Sequence, residues 1–214
     1  MKRKILIATT NPGKIAEIKA MLDINVQWVG LSGFPALAEI KEDGKTFAEN
    51  ARKKAIGYAK ATGLWTIADD SGLMVDTLGG APGIKSARFS GAKDKACPER
   101  RQGNRTLLDH KNMAKVLKLM QGVPREKRTA RFVCHLCLAS PDKILIETEG
   151  TLEGLIADRE IGENGFGYDP IFFVPGLNKT VGQLTMEEKN AISHRGNAIR
   201  KFKPLLEQLL KTDP

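Results

Sequence analysis

Apolar and polar positions alternate along this chain in two distinct periods, and the switches between them mark the elements. Lys4 to Thr9 (KILIAT) reads as a buried strand, Thr9 to Gly13 as turn chemistry, and Lys14 to Leu22 as a short helix with Ile15, Ile18, Met21 and Leu22 on its apolar face. Val26 to Leu31 is a second strand candidate. Thr46 opens a helix as N-cap, with Glu49 three residues on to complete a capping box. On that helix Phe47, Ala51, Ala55 and Tyr58 share a face at 3.6 residues per turn, and Lys54 falls inside the same face. A lysine on a buried stripe either snorkels to water or points its charge at an anion site.

Leu64 to Asp76 contains two apolar runs separated by Asp69-Asp70-Ser71-Gly72. The pattern reads as a strand that delivers two carboxylates to a Ser-Gly turn, followed by a second strand. That describes either a hairpin with an Asp-rich turn or a pair of acids placed for metal or base work. A glycine-rich stretch, Leu78 to Gly91, comes next, then an amphipathic helix over Thr106 to Met120. Two long antiparallel strands, Thr129 to Ala139 and Lys143 to Leu155, are expected to meet at a Ser-Pro-Asp turn. After a glycine-aromatic loop, Ile171 to Val174 is a short strand, Thr185 to Lys189 opens a helix, and a final helix runs from His194 through Pro204. No repeat or linker interrupts the chain, so a single domain over 1–214 is expected, of a length that fits either one body or two lobes.

Composition narrows the chemistry. The chain has 214 residues and a formal net charge of +9, from 34 Lys+Arg against 25 Asp+Glu. A positive field favours anionic partners without choosing among nucleic acid, membrane surface and phosphorylated small molecules. The densest basic stretch, Lys93 to Arg105, has no aromatic for base stacking, which argues against a single-strand binder. No segment approaches the roughly 20 apolar residues that span a bilayer, and the apolar run near the N-terminus is too short for a signal peptide. The expectation is a cytoplasmic protein with no membrane partner. The 3 cysteines form no framework. Cys134 and Cys137 make a C-x-x-C, but residues three apart on a strand face opposite ways and cannot jointly grip a metal.

Three constellations carry candidate chemistry. Thr9-x-Asn11-x-x-Lys14 places a lysine at a strand–turn–helix junction, where a helix N-terminus favours phosphate. Asp69 and Asp70, with Glu39 or Glu42 as partners, form an acid set of the kind magnesium takes together with phosphate oxygens. Lys54, Arg88, Lys189, His194 and Arg195 form a cation set suited to a polyphosphate.

Taken together, TTNPGK, TFAENARKKA, ADDSGLMVDTLGGAPGIKSARFSG, GFGYDPIFF and EEKNAISHRGNA resemble, in order and over nearly the whole chain, the inosine triphosphate pyrophosphatase (XTP/dITP diphosphatase) family. The resemblance implies a homodimeric α/β enzyme: an elongated mixed sheet flanked by helices, two lobes and a central cleft. It implies a Mg2+-dependent hydrolase that converts non-standard purine triphosphates (ITP/dITP, XTP/dXTP) to the monophosphate and pyrophosphate, with no stable nucleic-acid partner. By motif, Thr9, Thr10, Asn11, Pro12, Gly13 and Lys14 would wrap the phosphates, reached also by Lys54. Asp70 would be catalytic base and metal ligand with Glu42 (Glu39 the fallback), and Ser71 and Arg88 would touch substrate. Phe166, Gly167, Tyr168, Asp169, Lys189, His194 and Arg195 would form the nucleoside pocket. Donors on His194 or Arg195 would suit a 6-oxo base, Asp169 would take its N1–H, and Phe166 or Tyr168 would stack on the ring. Lys85 stands where that family usually has an aromatic. The competing readings are a pyrophosphatase for pyrimidine or other modified nucleotides, and a basic nucleic-acid-binding protein.

Overall fold

The computed structural model describes residues 2–91, 101–102 and 105–212. The basic stretch Lys93 to Arg105 therefore lies largely outside the described residues. In chain order the elements are β1 (Lys4–Ile7), α1 (Pro12–Met21), β2 (Gln27–Gly30), α2 (Phe47–Thr62), β3 (Trp65–Val75), the two-residue strands β4 (Arg101–Gln102) and β5 (Arg105–Thr106), α3 (Leu107–Leu119), β6 (Thr129–Ala139), β7 (Ile144–Ile156), β8 (Phe172–Val174), β9 (Lys179–Thr180), α4 (Met186–Ile192) and α5 (His194–Thr212). One mixed sheet has the order β2-β1-β3-β6-β7-β8-β9. β1 pairs in parallel with β2 and β3, while β8 is antiparallel to β7 and β9. The α/β class read from the sequence is the observed one.

The chain divides into two compact units. The first comprises Met1–Ser71, Cys134–Thr151 and His194–Pro214, and the second Gly72–Val133 and Leu152–Ser193. In the first unit, alternation along β1 sends Ile5 and Ile7 to one face of the sheet and Leu6 and Ala8 to the other. The Ile5 face packs against Ile18 of α1, Leu22 just after it, and Ile199, Phe202 and Leu206 of α5. The Leu6 face packs against Ala51, Ala55, Tyr58 and Ala59 of α2. Small residues on α2 let that helix lie close to the strands, and each fully buried Ile or Leu stabilises by about 1.5–3 kcal/mol. Cys134 joins the first of these clusters and Cys137 the second, as opposite-facing strand positions must. Burial pushes both thiols up to about 12. The second unit has its own core, in which Met113 and Val116 of α3 and Met120 just after it meet Leu73, Val75, Phe132, Tyr168 and Phe172.

Local signals hold with instructive shifts. Thr46 caps α2 by accepting from Glu49 N at 3.1 Å, but the Glu49 carboxylate takes the Lys45 N–H at 2.7 Å, one residue earlier than a capping box requires. At α4 the box is complete, with Glu188 N to Thr185 Oγ1 at 3.2 Å and Thr185 N to Glu188 Oε2 at 2.8 Å. Ser140 closes the β6–β7 turn through its N–H to Lys143 O, 2.9 Å. Pro204 sits inside α5 without ending it.

The expected turn at Ser71-Gly72 is absent: β3 runs unbroken through Asp69, Asp70, Ser71 and Gly72. The acids do not need a loop because their charges are met by side chains from the flanking helices, described below. Gly72 has a separate reason to be there. A Cβ at that position would lie 2.3 Å from Ser86 Oγ and 2.8 Å from Gly83 O. Ser86 instead comes close enough to accept from Leu73 N at 2.9 Å.

Gly150 in β7 answers the same kind of constraint for α5. An added Cβ would lie 2.2 Å from His194 O and 2.4 Å from Ala198 N, both backbone atoms that cannot swing aside. Thr148 Oγ1 donates to Ala198 O at 3.0 Å beside it. We expect Gly150→Ala to destabilise by about 2 kcal/mol through overpacking, reversing the small gain an alanine usually gives in place of a flexible glycine. A urea unfolding midpoint equal to that of the unaltered protein would contradict this packing.

Candidate active site

Two side chains one turn apart on α2 aim at the acids of β3. Asn50 Nδ2 donates to Asp70 Oδ2 at 2.9 Å, while its own carbonyl oxygen accepts from Gly44 N at 2.7 Å. Lys54 Nζ donates to Asp69 O at 2.5 Å and pairs with Glu42 Oε2 at 3.1 Å. Lys54 is only 7% exposed, so it does not snorkel; its charge is met inside. Burial works against that charge, but Asp69, Glu42 and Asp70 outweigh it and hold the ammonium above its ordinary pKa.

Asp69 is the hub. Its side chain has no exposed surface, and its Oδ2 meets Lys14 Nζ at 3.0 Å and Arg195 at 2.9 Å. Ser71 Oγ also donates to it at 3.3 Å. Arg195, itself fully buried, holds Glu17 of α1 through its other terminal nitrogen and donates to Ser71 Oγ at 2.9 Å. Burial alone would push the Asp69 carboxyl up; Lys14, Arg195 and Lys54 reverse it and hold the group far below the usual carboxylate range. Arg195 is raised in turn, since Asp69 and Glu17 outweigh its desolvation. Asp69 Oδ1 has no hydrogen-bond partner among the described residues.

Asp70, its neighbour, behaves oppositely. It is 8% exposed, and burial, the largest influence, is offset only in part by Lys54, Asn50 and Lys14, while Glu42 adds repulsion. Its pKa is raised. Two adjacent carboxylates thus have separate roles: Asp69 is a locked anion, and Asp70 is the acid with proton affinity to spare.

Thr9 to Lys14, the turn expected from the sequence to meet phosphate, lies in the same unit. Asn11 caps α1 with Oδ1 accepting from Gly13 N at 2.9 Å and Lys14 N at 3.2 Å, and Pro12 has no N–H to give. Thr9 Oγ1 accepts from Asn11 N at 3.2 Å, and Thr10 is exposed. Asn11 therefore already serves the helix N-terminus, leaving the Lys14 ammonium as the turn's principal charge. His194 is buried at the start of α5. Glu39 is exposed and, like Glu42 and Lys54, lines a cavity of about 630 Å3.

The second unit gathers another set. Asp169 Oδ2 accepts from Lys189 Nζ at 2.8 Å and from Phe166 N at 2.8 Å, and the Lys189 ammonium sits 4.3 Å from the Phe166 ring centroid. Gly165 is needed because a Cβ would meet Asp169 Oδ2 at 2.0 Å, and Gly167 has φ +59°. Tyr168 is buried, with its hydroxyl donating to Ser86 O at 2.7 Å. Arg88 and Lys85 are exposed on the turn Gly83–Arg88. Sequence reasoning passed over Asn50 and Glu17. Each is a buried polar residue on a helix face that otherwise packs.

No cluster of three or more His, Cys, Asp and Glu among the described residues is arranged to hold a metal. The donor set of Asp70 and Glu42 nevertheless suits a hard divalent cation: it is all oxygen, and the two carboxylates repel one another.

The Ham1 family profile matches residues 5–205. The chain is 46% identical to a dITP/XTP pyrophosphatase of Desulforamulus reducens over 96% of both chains. It is 44% identical to one of Bacillus subtilis, over 96% of this chain and 98% of that protein. Among solved structures it is similar to the Staphylococcus aureus Ham1 protein, with TM-score 0.81 and 41% identity over 96% of this chain and 99% of that one.

The opposite shifts of the two acids give a stability test. An acid whose pKa is raised by folding binds more protons in the native state, so stability falls as pH rises from the unfolded value of about 4 through the folded one. Asp70 therefore weakens the metal-free protein at neutral pH. Asp70→Asn should raise the melting temperature at pH 7 without divalent cations, and the gain should shrink below about pH 4. A lower melting temperature at pH 7 would show that Asp70 is a stabilising anion like Asp69.

Proposed function

The chain belongs to the Ham1 family, and on that premise we propose that it is a nucleoside-triphosphate pyrophosphatase that hydrolyses non-standard purine triphosphates to the monophosphate and pyrophosphate. The observation that carries the reading is Asp70: a buried carboxylate of raised pKa, one residue from a locked anion that fixes Lys14, with Lys54 and Glu42 beside it. Water attacks the α-phosphorus, and Asp70 orients it and accepts its proton. Lys14 and Lys54 take up charge developing on the departing pyrophosphate, in a site already ordered before substrate arrives. Thr9 to Gly13 contact the phosphates, and Ser71 steadies both Asp69 and the substrate edge. Asp70 and Glu42 would hold a divalent ion, which we take to be Mg2+; when bound it would supply Lewis-acid neutralisation of the phosphate oxygens.

Base choice follows from hydrogen-bond polarity. Hypoxanthine and xanthine carry an oxo acceptor where adenine carries an amino donor, so a donor from the protein suits the first two and opposes the third. His194 is the donor proposed in the first unit; Arg195, which has no exposed side-chain surface and is held by Asp69, Glu17 and Ser71, acts as a positioning residue. In the second, Lys189, Asp169 and the Phe166 ring form a donor, an acceptor and a stacking face of matching chemistry. The resemblance to inosine triphosphate pyrophosphatases supports a homodimer working in the cytoplasm. No described helix is long and apolar enough to cross a membrane.

A panel of nucleoside triphosphates with Mg2+, scored for pyrophosphate against orthophosphate, tests the reading. ITP and XTP should give pyrophosphate, with kcat/KM at least about a hundredfold above ATP. Asp70→Asn should lower kcat by about 10²–10⁴-fold with the fold intact. Equal use of ITP and ATP, or a fully active Asp70→Asn, would defeat it.

A further inference from the structure

The cavity of about 630 Å3 beside Lys54 is larger in kind than a triphosphate tail explains. Its volume is that of a pocket for a whole nucleoside-sized ligand. Its lining includes Thr9, Thr10, Glu42 and Lys54, all assigned above to the phosphates or the metal. The lining also includes the side chains of Phe34, Leu37, Ile40 and Tyr58, apolar surface from which a polyanion gains nothing.

The wall is built rather than incidental. Ile40 N donates to Tyr58 Oη at 3.3 Å, pinning the segment after β2 onto α2. Gly57 permits the contact, since a Cβ there would lie 2.8 Å from Ile40 Cδ1. Phe34, Leu37 and Ile40 all pack against the cluster formed by Leu6, Ala55 and Tyr58. The chain thus spends a helical glycine and a tyrosine hydroxyl on shaping one side of this space.

Among the described residues, the lining includes Lys54 and Glu42 but neither Asp70 nor Lys14. Lys54, assigned above to the departing pyrophosphate, lines the cavity while Asp70 does not, and this sets the cavity on the leaving-group side of that reading. Glu39 adds a carboxylate to the lining. It repels a free terminal phosphate, yet it can accept from a hydroxyl or N–H of an uncharged group.

Resting on the pyrophosphatase reading above, we propose that this cavity is a subsite for a group esterified to the terminal phosphate. The substrate class then extends to triphosphates capped by an aromatic or nucleoside moiety, dinucleoside triphosphates included. In the reaction the water oxygen bonds to the α-phosphorus and the bond from that phosphorus to its bridging oxygen breaks. The water proton passes to Asp70, and the capped diphosphate departs. A diinosine triphosphate gives inosine monophosphate and inosine diphosphate, and the γ-phenyl ester of ITP gives inosine monophosphate and phenyl diphosphate.

The test compares ITP, γ-phenyl ITP and diinosine triphosphate with the full chain and Mg2+, separating products by anion-exchange chromatography. Both capped compounds should be cleaved to the stated products, with kcat/KM within about tenfold of ITP. Phe34→Ala should lower the capped-to-ITP ratio of kcat/KM by about tenfold, and Phe34→Tyr, which keeps the ring, should restore it. Capped compounds left intact where ITP is consumed, or a ratio unchanged in Phe34→Ala, overturn the subsite. Failure of ITP itself to yield monophosphate and pyrophosphate overturns the pyrophosphatase reading instead.

Discussion

A carboxylate without exposed surface must find its counter-charge inside the protein, and Asp69 finds it on three helices at once. Lys14 comes from α1, Lys54 from α2 through the Asp69 carbonyl, and Arg195 from α5. Removing one partner of such a buried set leaves an uncompensated charge, a loss of about 3–5 kcal/mol. The same contacts that neutralise Asp69 set the positions of the two lysines proposed to meet phosphate. Glu17 extends the set by holding Arg195 from the far side. What looks like structural compensation is thereby also preorganisation: the cations are fixed before any anion arrives.

The sheet makes this possible. β3 is covered on both faces in the first unit, by α1 and α5 on one side and α2 on the other. Consecutive residues on such a strand face opposite layers. Asp69 and Asp70 therefore meet different surroundings although they are adjacent. Asp69 faces Lys14 and Arg195, while Asp70 faces Asn50 and the Lys54–Glu42 pair. Opposite displacement of their pKa values follows from that alternation and needs no special loop. Glycines then admit the neighbours that brace this arrangement, Gly44 against Asn50 and Gly150 against the first turn of α5.

Much of this was legible in the sequence, and the gaps have physical causes. α2 and its misplaced lysine could be read because Lys54 breaks an otherwise apolar stripe. The C-x-x-C could be set aside because strand geometry separates its sulfurs. Asp69 to Gly72 read as a turn because local residue preference sees polar, flexible residues and cannot see α1, α2 and α5 arriving to neutralise them. Asn50 and Glu17 were missed for a related reason: on amphipathic helices they pass for solvated positions, and only tertiary packing shows them buried. The cavity wall formed after β2 was equally hidden, since its significance depends on Ile40 docking over Gly57.

The central claim is that Asp69 and Asp70, side by side on one strand, are shifted in opposite directions from the ordinary carboxylate value. A carbon-13 NMR titration of the aspartate side-chain carboxyls in the metal-free protein measures this directly, with Asp69→Asn and Asp70→Asn supplying the assignments. The account predicts that the Asp69 resonance shows no protonation step until the protein unfolds in acid, whereas Asp70 titrates above the ordinary value of about 3.9. The reverse order, or two superimposable curves near that value, would contradict it.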